Sequence, residues 1–289
     1  MFDTILLALS DAVSKEEMQG FQQNTKKSSG IHVEQLTNVT QLHTYKGNTS
    51  ILITDMTEYF LKAHGLKIPG VVYLHKQNRK VSFTNMTYAI TSLEDLPLIY
   101  LQRVYERFFH IPWEILRTKR CLVREMTVED VDELYEVYKD KEITRYMESL
   151  FEDKEEEREY TSKYIENMYG FYGFGMWIVQ SLDNGKIIGR AGLNVREEYD
   201  DLELGYIIRK EEQRKGYGTE VCQAIIRYAV EEMEVQTLNA FIHPDNTNSI
   251  KLIQKLHFQK KERVNLEGRE LDRYVWSRDA IGEIAHGFC

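Results

Sequence analysis

The chain has 289 residues, 42% of them apolar, and a net charge of −9. This length accommodates two domains with separate cores. No apolar run nears the roughly 20 residues that span a bilayer, and Met1–Leu9 carries Asp3 and no basic leader, so neither membrane anchor nor secretory signal is expected.

Three cysteines, Cys121, Cys222 and Cys289, lack metal-ligand or disulfide-framework spacing, which suits a reducing cytoplasm. Cys222 reads as a buried, inert thiol. The charge is uneven: 12 basic and 11 acidic residues up to Arg117, then 25 and 35. An acidic second half argues against a nucleic-acid surface there and admits a cationic substrate.

Residues 1–115 read as a small α/β domain. Thr4–Leu9, Ile51–Thr54 and Val71–Leu74 are short aliphatic runs, and Tyr59–His64 has helical spacing. Strands alternating with helices predict a small parallel, Rossmann-like sheet. Leu93–Phe109 reads as one amphipathic helix with Leu98, Leu101, Val104, Tyr105 and Phe108 on one face. Gly65–Val72 is similar to part of a haloacid dehalogenase-type fold, but that family's paired aspartates are absent and Asp55 stands alone. The domain is therefore expected to be non-catalytic. Residues 111–120 read as a linker.

The second domain, 119–278, opens with a strand at Cys121–Glu125. Thr127 with Asp130 makes a capping-box start for a helix reaching Tyr138. A charged helix follows over Lys154–Met168. Met176–Ser181 and Lys186–Asn194 form a hairpin around Asp183-Asn184-Gly185. Then come a strand at Leu202–Arg209, a helix at Tyr217–Met233, a strand at Thr237–Ile242, a helix at Asn248–Leu256 and a strand at Arg273–Trp276. Residues 279–289 form a tail. Tyr169, Phe171, Tyr172, Phe174 and Trp177, interleaved with glycines, suit either a substrate lid or core.

The chemistry concentrates at Gln213-Arg214-Lys215-Gly216-Tyr217-Gly218, between a strand and a long helix. Glycines two apart let the backbone turn several N–H groups toward one point at a helix N-terminus, an arrangement that holds phosphates. Arg209, Arg214 and Lys215 add positive charge. Neither a Gly-x-x-x-x-Gly-Lys-Ser/Thr loop nor a dinucleotide fingerprint is present. The pattern Gln-x-x-Gly-x-Gly resembles the acetyl-CoA loop of the GNAT acetyltransferases. Leu202–Tyr206 before it, Asn239–Ile242 after it and the series Pro244, Asn246, Ser249, Leu252, Leu256, Phe258 resemble the RimJ/RimL-type branch, over roughly Cys121 to Ser277.

The resemblance implies a mixed sheet flanked by helices, with acetyl-CoA as co-substrate. Tyr206, Ile207 and Ile208 would lie along the thioester. Gln213, Arg214, Lys215, Gly216, Tyr217, Gly218 and Thr219 would hold the pyrophosphate, and Asn246 and Ser249 the pantetheine end. The strand at 202–209 is expected to splay from Thr237–Ile242. Asn246 also suits a helix cap. Glu203 is the candidate base for an incoming ammonium; its other reading is an ordinary strand glutamate paired with an arginine. The family's tyrosine acid is replaced by Ile253 and its glycine before Phe258 by His257. Two functions fit: an N-acetyltransferase acting on a small cationic amine or a peptide N-terminus, and a non-catalytic acyl-CoA sensor or interaction module. The eight histidines show no ligand spacing, so no metal is expected.

Overall fold

The computed structural model describes residues 2–279, and the expected tail past Asp279 lies outside them. The chain divides into two compact units between Ile111 and Pro112. The first holds five parallel strands: β1 (Thr4–Ala8), β2 (His32–Gln35), β3 (Ser50–Thr54), β4 (Gly70–Tyr73) and β5 (Ala89–Ile90), in the order β2-β1-β3-β4-β5. Helices α1 (Lys15–Ser29), α2 (Thr57–Gly65) and α3 (Leu98–Phe108) complete this α/β unit. Its central strands, β1 and β3, are aliphatic runs because helices cover both faces of a parallel sheet.

α3 starts at Leu98, later than the apolar pattern predicts, because Pro97 occupies its cap position. α1 was not legible: its residues are mostly polar, and it is started by Ser14, whose Oγ accepts the Glu17 N–H at 3.1 Å. Asp55 has Ser10 and His75 as partners. Its carboxylate accepts the Ser10 N–H at 2.9 Å and hydroxyl at 2.5 Å, and meets His75 Nε2 at 3.1 Å. It thus ties together the loops that follow β1, β3 and β4.

The second unit holds an eight-stranded mixed sheet. In chain order come β6 (Glu114–Arg117), β7 (Cys121–Arg124), α4 (Val131–Tyr138), α5 (Lys141–Thr144), α6 (Lys154–Tyr164), β8 (Met176–Ser181), β9 (Ile187–Arg196), β10 (Tyr199–Ile208), α7 (Tyr217–Glu232), β11 (Thr237–Ile242), α8 (Thr247–Lys255), β12 (Gln259–Leu266) and β13 (Arg269–Ser277). The strand order is β12-β13-β11-β10-β9-β8-β7-β6. Every pairing is antiparallel except β10 with β11. Together the two units make a mixed α/β protein.

Residues 111–120, expected as a linker, contain the edge strand β6. Backbone and side-chain bonds between Trp113 and Glu125 seat it against β7. The charged helix is also shorter than expected. α6 ends at Tyr164, and residues Ile165–Tyr172 continue in wider turns before Gly173, at φ +76°. This widening places two phenols on one residue: Tyr164 Oη accepts the Met176 N–H at 2.6 Å, and Tyr169 Oη donates to the Met176 carbonyl at 2.5 Å. The aromatic cluster accordingly splits, with Tyr169 and Trp177 in the core and Phe171 exposed.

α4 is pinned by Asp130. Its carboxylate accepts the Thr127 N–H at 2.8 Å and makes two 2.7 Å bonds to the Arg124 guanidinium. Asp130→Ala removes the cap and strands a half-buried arginine, so it should cost about 3 kcal/mol in a urea titration. Asp132→Ala, which breaks only exposed pairs to Lys154 and Arg158, should shift the midpoint far less.

Candidate active site

β10 and β11 run parallel and share a single paired position, Glu203 with Asn239. On its other side β10 pairs with β9 continuously from Glu203 to Ile208, and β11 pairs with β13 along its whole length. Beyond Glu203, therefore, β10 and β11 diverge, and the edge of β10 facing the gap has no strand to bond. Such polar backbone is retained where a ligand can satisfy it. The fork is fastened at its base. Asn239, fully buried, donates from Nδ2 to the Asp201 carbonyl at 3.1 Å and accepts from Arg273 Nε at 2.9 Å. Thr237 bonds the Asp201 carboxylate.

At the far end of β10 the chain turns through 209–216 into α7. Gly216 caps α7 at φ +87°, and Arg214 is also left-handed at φ +62°. Gly216 tolerates this geometry because it lacks a Cβ. Gln213 Nε2 donates to the Ile208 carbonyl at 2.9 Å, which fixes the turn to the strand end. Lys215 pairs with Glu212 at 2.9 Å. Gly218 is needed for packing: a Cβ there would sit 2.7 Å from Leu252 Cδ1 of α8. Thr219 lies in the first turn of α7, half-buried.

A further cation braces this loop, and sequence reasoning missed it. Arg120 donates to the Lys215 carbonyl at 3.0 Å, pairs with Glu220 at 2.7 Å and lies over the Tyr217 ring at 4.1 Å. Partial burial works against the Glu220 charge, but hydrogen bonds from Thr118 and Arg120 hold its carboxyl below the usual range. Nothing local in the sequence announces a contact between residues 100 positions apart.

Around the fork lies a cavity of about 690 Å³. Its wall includes Glu203, Tyr206, Asn246 and Ser249, and on the opposite side Tyr138, Tyr160 and Tyr164. Residues 213–219 are not part of it. Successive strand residues face opposite ways, so Tyr206 points toward α7 and α8, where its hydroxyl donates to the Ser249 carbonyl at 3.1 Å. Ile208 is buried on that side; Ile207 is buried on the other, with Glu203, toward α4 and α6. Asn246 caps α8 by accepting the Ser249 N–H at 3.2 Å, and Ile253, at the family tyrosine's place, is wholly buried.

Glu203 carries an ion pair that sequence reasoning weighed only in general terms. Arg196 Nε lies 2.6 Å from its carboxylate, across the short connection between β9 and β10. Burial pushes the Glu203 carboxyl above its usual value, and Arg196 pulls it only part of the way back. Burial likewise raises both thiols, Cys121 to about 11, and Cys222 is buried in α7 as expected. Among the described residues no group of three His, Cys, Asp or Glu side chains is placed to hold a metal, and no helix is long and apolar enough to cross a membrane.

The Acetyltransferase (GNAT) domain profile matches residues 120–259. The uncharacterized N-acetyltransferase p20 of Bacillus licheniformis is 31% identical over 171 residues, which is 57% of this chain and 95% of p20. The chain belongs to the GNAT acetyltransferase family. The uncharacterized N-acetyltransferase YoaA of Bacillus subtilis is 27% identical, with 51% of this chain and 84% of YoaA covered. Among solved structures, apo RimL, a ribosomal L7/L12 α-N-protein acetyltransferase, superposes with a TM-score of 0.51 at 15% identity, covering 58% of this chain and 96% of RimL. That likeness is one of fold. As a GNAT enzyme the protein catalyses acetyl-CoA-dependent acetylation.

The start of α7, braced by Arg120, is the expected seat of the pyrophosphate. Acetyl-CoA at about 100 times its Kd should add about 2.7 kcal/mol to the stability of the folded state, read as a rise in Tm. Gly216→Asp puts a carboxylate at the helix N-terminus where phosphates would sit, and should abolish the rise. An equal rise in that variant would place the ligand elsewhere.

Proposed function

We propose that the protein acetylates a primary amine by direct attack on the acetyl-CoA thioester, with the reacting atoms in the fork between β10 and β11. The observation that carries this reading is the single β10–β11 pair: it leaves bare backbone along Tyr206–Ile208 beside a cavity that holds a buried carboxylate. The pantetheine arm would replace the missing strand, its carbonyl and amide groups bonding the free edge of β10. Gln213–Thr219 and Arg120 would hold the pyrophosphate, and Asn246 and Ser249 the segment nearest the thioester.

In the reaction an ammonium must first lose a proton. Glu203 accepts it, directly or through one water, and the burial that raises its pKa strengthens it as a base. The amine nitrogen then bonds the thioester carbon. The carbonyl oxygen takes negative charge, and a β10 backbone N–H donates to it. The nitrogen gives up its second proton to solvent, the C–S bond breaks, and the CoA thiolate takes up a proton in turn. A thioester is already activated, so positioning does most of the work; holding both partners at attack distance supplies up to about 7–11 kcal/mol of the barrier. Arg196 belongs to this account as the residue that holds the Glu203 carboxylate in one orientation.

Two observations bear on the acceptor. Acidic residues on the cavity wall are largely claimed: Glu203 by Arg196, and Glu148 by Arg269 at 2.5 Å. The excess acidity of the second half therefore lies mostly outside the site, and a polycation has little to hold it there. A compact amine or a peptide N-terminus suits the cavity better.

Glu203→Gln keeps the size and removes the base. The wild-type kcat/KM profile should fall on the acid side with an apparent pKa above the ordinary glutamate value, since the folded pKa is raised. The variant's deficit should be largest just above that pKa and shrink as pH approaches the acceptor's own pKa. A pH–rate profile that is unchanged in Glu203→Gln assigns Glu203 to structure alone.

A further inference from the structure

Arg190 sits in the middle of β9, opposite Ile178 of β8 and Ile207 of β10. It is only 9% exposed and lines the cavity. Its guanidinium has no carboxylate within 4.0 Å among the described residues, and its buried Nε has no hydrogen-bond partner. Its neighbours are phenols: Tyr138 beside it, and the Tyr164 ring 5.9 Å from Arg190 Cζ. Every other arginine on the wall is paired, Arg196 with Glu203 and Glu267, and Arg269 with Glu148. Glu157, also buried on the wall, accepts the Phe151 N–H at 3.0 Å and lies beyond ion-pair distance of Arg190.

A buried cation without a counter-charge is costly, and a guanidinium's planar fork matches a carboxylate. The arginine faces the same side of the sheet as Glu203. Arg190 and Asn194, the β9 partner of Glu203, are four positions apart, so the two charges rise from strand positions about 13 Å apart. Side chains leaning inward shorten that span. We propose that Arg190 is a specificity determinant for the acceptor: it binds a carboxylate on the same molecule whose amine is deprotonated at Glu203. The acceptor is then an amino acid or a peptide N-terminus with an acidic neighbour, in place of a simple cationic amine. This rests on the acetyl-transfer reading above.

The test compares ω-amino acids, from glycine to 6-aminohexanoate, with their carboxamides as acceptors for the wild type, Arg190→Met and Arg190→Lys. The best acid should exceed its amide roughly tenfold or more in kcat/KM. Arg190→Met should bring that ratio to about one through acceptor KM, with KM for acetyl-CoA unchanged, and Arg190→Lys should restore part of it. In parallel, the amine-free acids butanoate and hexanoate are titrated calorimetrically into the CoA-bound protein. Binding is expected in the wild type and its loss in Arg190→Met. A matched pair of peptides, Ser-Asp and Ser-Asn at the N-terminus, separates a peptide source of the carboxylate from a free amino acid. Amides accepted as well as acids, or a ratio unmoved in folded Arg190→Met, overturns the subsite and leaves acetyl transfer standing. Arg190-dependent binding of the acids with no acetylation of any amine does the reverse.

Discussion

Everything proposed for this protein depends on one pair of residues. Glu203 and Asn239 are where two parallel strands meet before they part. Held together along their length, β10 and β11 would satisfy one another and leave nothing for a ligand. The buried Asn239, bonded to the Asp201 carbonyl and to Arg273, confines their contact to one end. An unsatisfied buried amide would cost about 1–3 kcal/mol, so this arrangement is hard to slide. The fork is thus a rigid opening.

The same pair places the proposed base. Because side chains alternate, holding Asn239 opposite Glu203 sends the Glu203 carboxylate toward α4 and α6 and sends Tyr206 toward α7 and α8. The proposed acid–base chemistry and the proposed nucleotide end therefore occupy opposite faces of one strand. Burial raises the Glu203 carboxyl above its usual value, and Arg196 draws it part of the way back. Of the arginines on the cavity wall, Arg196 and Arg269 meet carboxylates at short range and Arg190 does not.

Much of this architecture could be read from local sequence. The glycine turn, the hairpin at Asp183–Gly185 and the cap at Thr127 are set by residues within a few positions of each other, and the structure has them where the pattern puts them. Alternating aliphatic runs likewise announced β1, β3 and β4. What was hidden depends on partners distant in the chain. Arg120 finds Glu220 and the loop only once β7 lies beside α7. Arg196 and Glu203 are seven residues apart, but the connection between β9 and β10 is Glu197-Glu198, which looks like a solvated acidic stretch and carries no turn residue. β12 is nearly all polar and exposed on its outer side, so its strand character comes from pairing with β13. β6 reads as a linker for a similar reason: a four-residue edge strand has too little pattern to read.

The central claim is that acetyl-CoA completes the sheet in the fork. Amide hydrogen exchange on the full-length protein, with and without acetyl-CoA, measures this directly. The account predicts new protection at Gly205–Ile208 on the open edge of β10 and across Lys215–Thr219, with little change in β9 and β13, whose ladders are already complete. Protection confined to other segments, with β10 exchanging as fast as before at saturating acetyl-CoA, would contradict it.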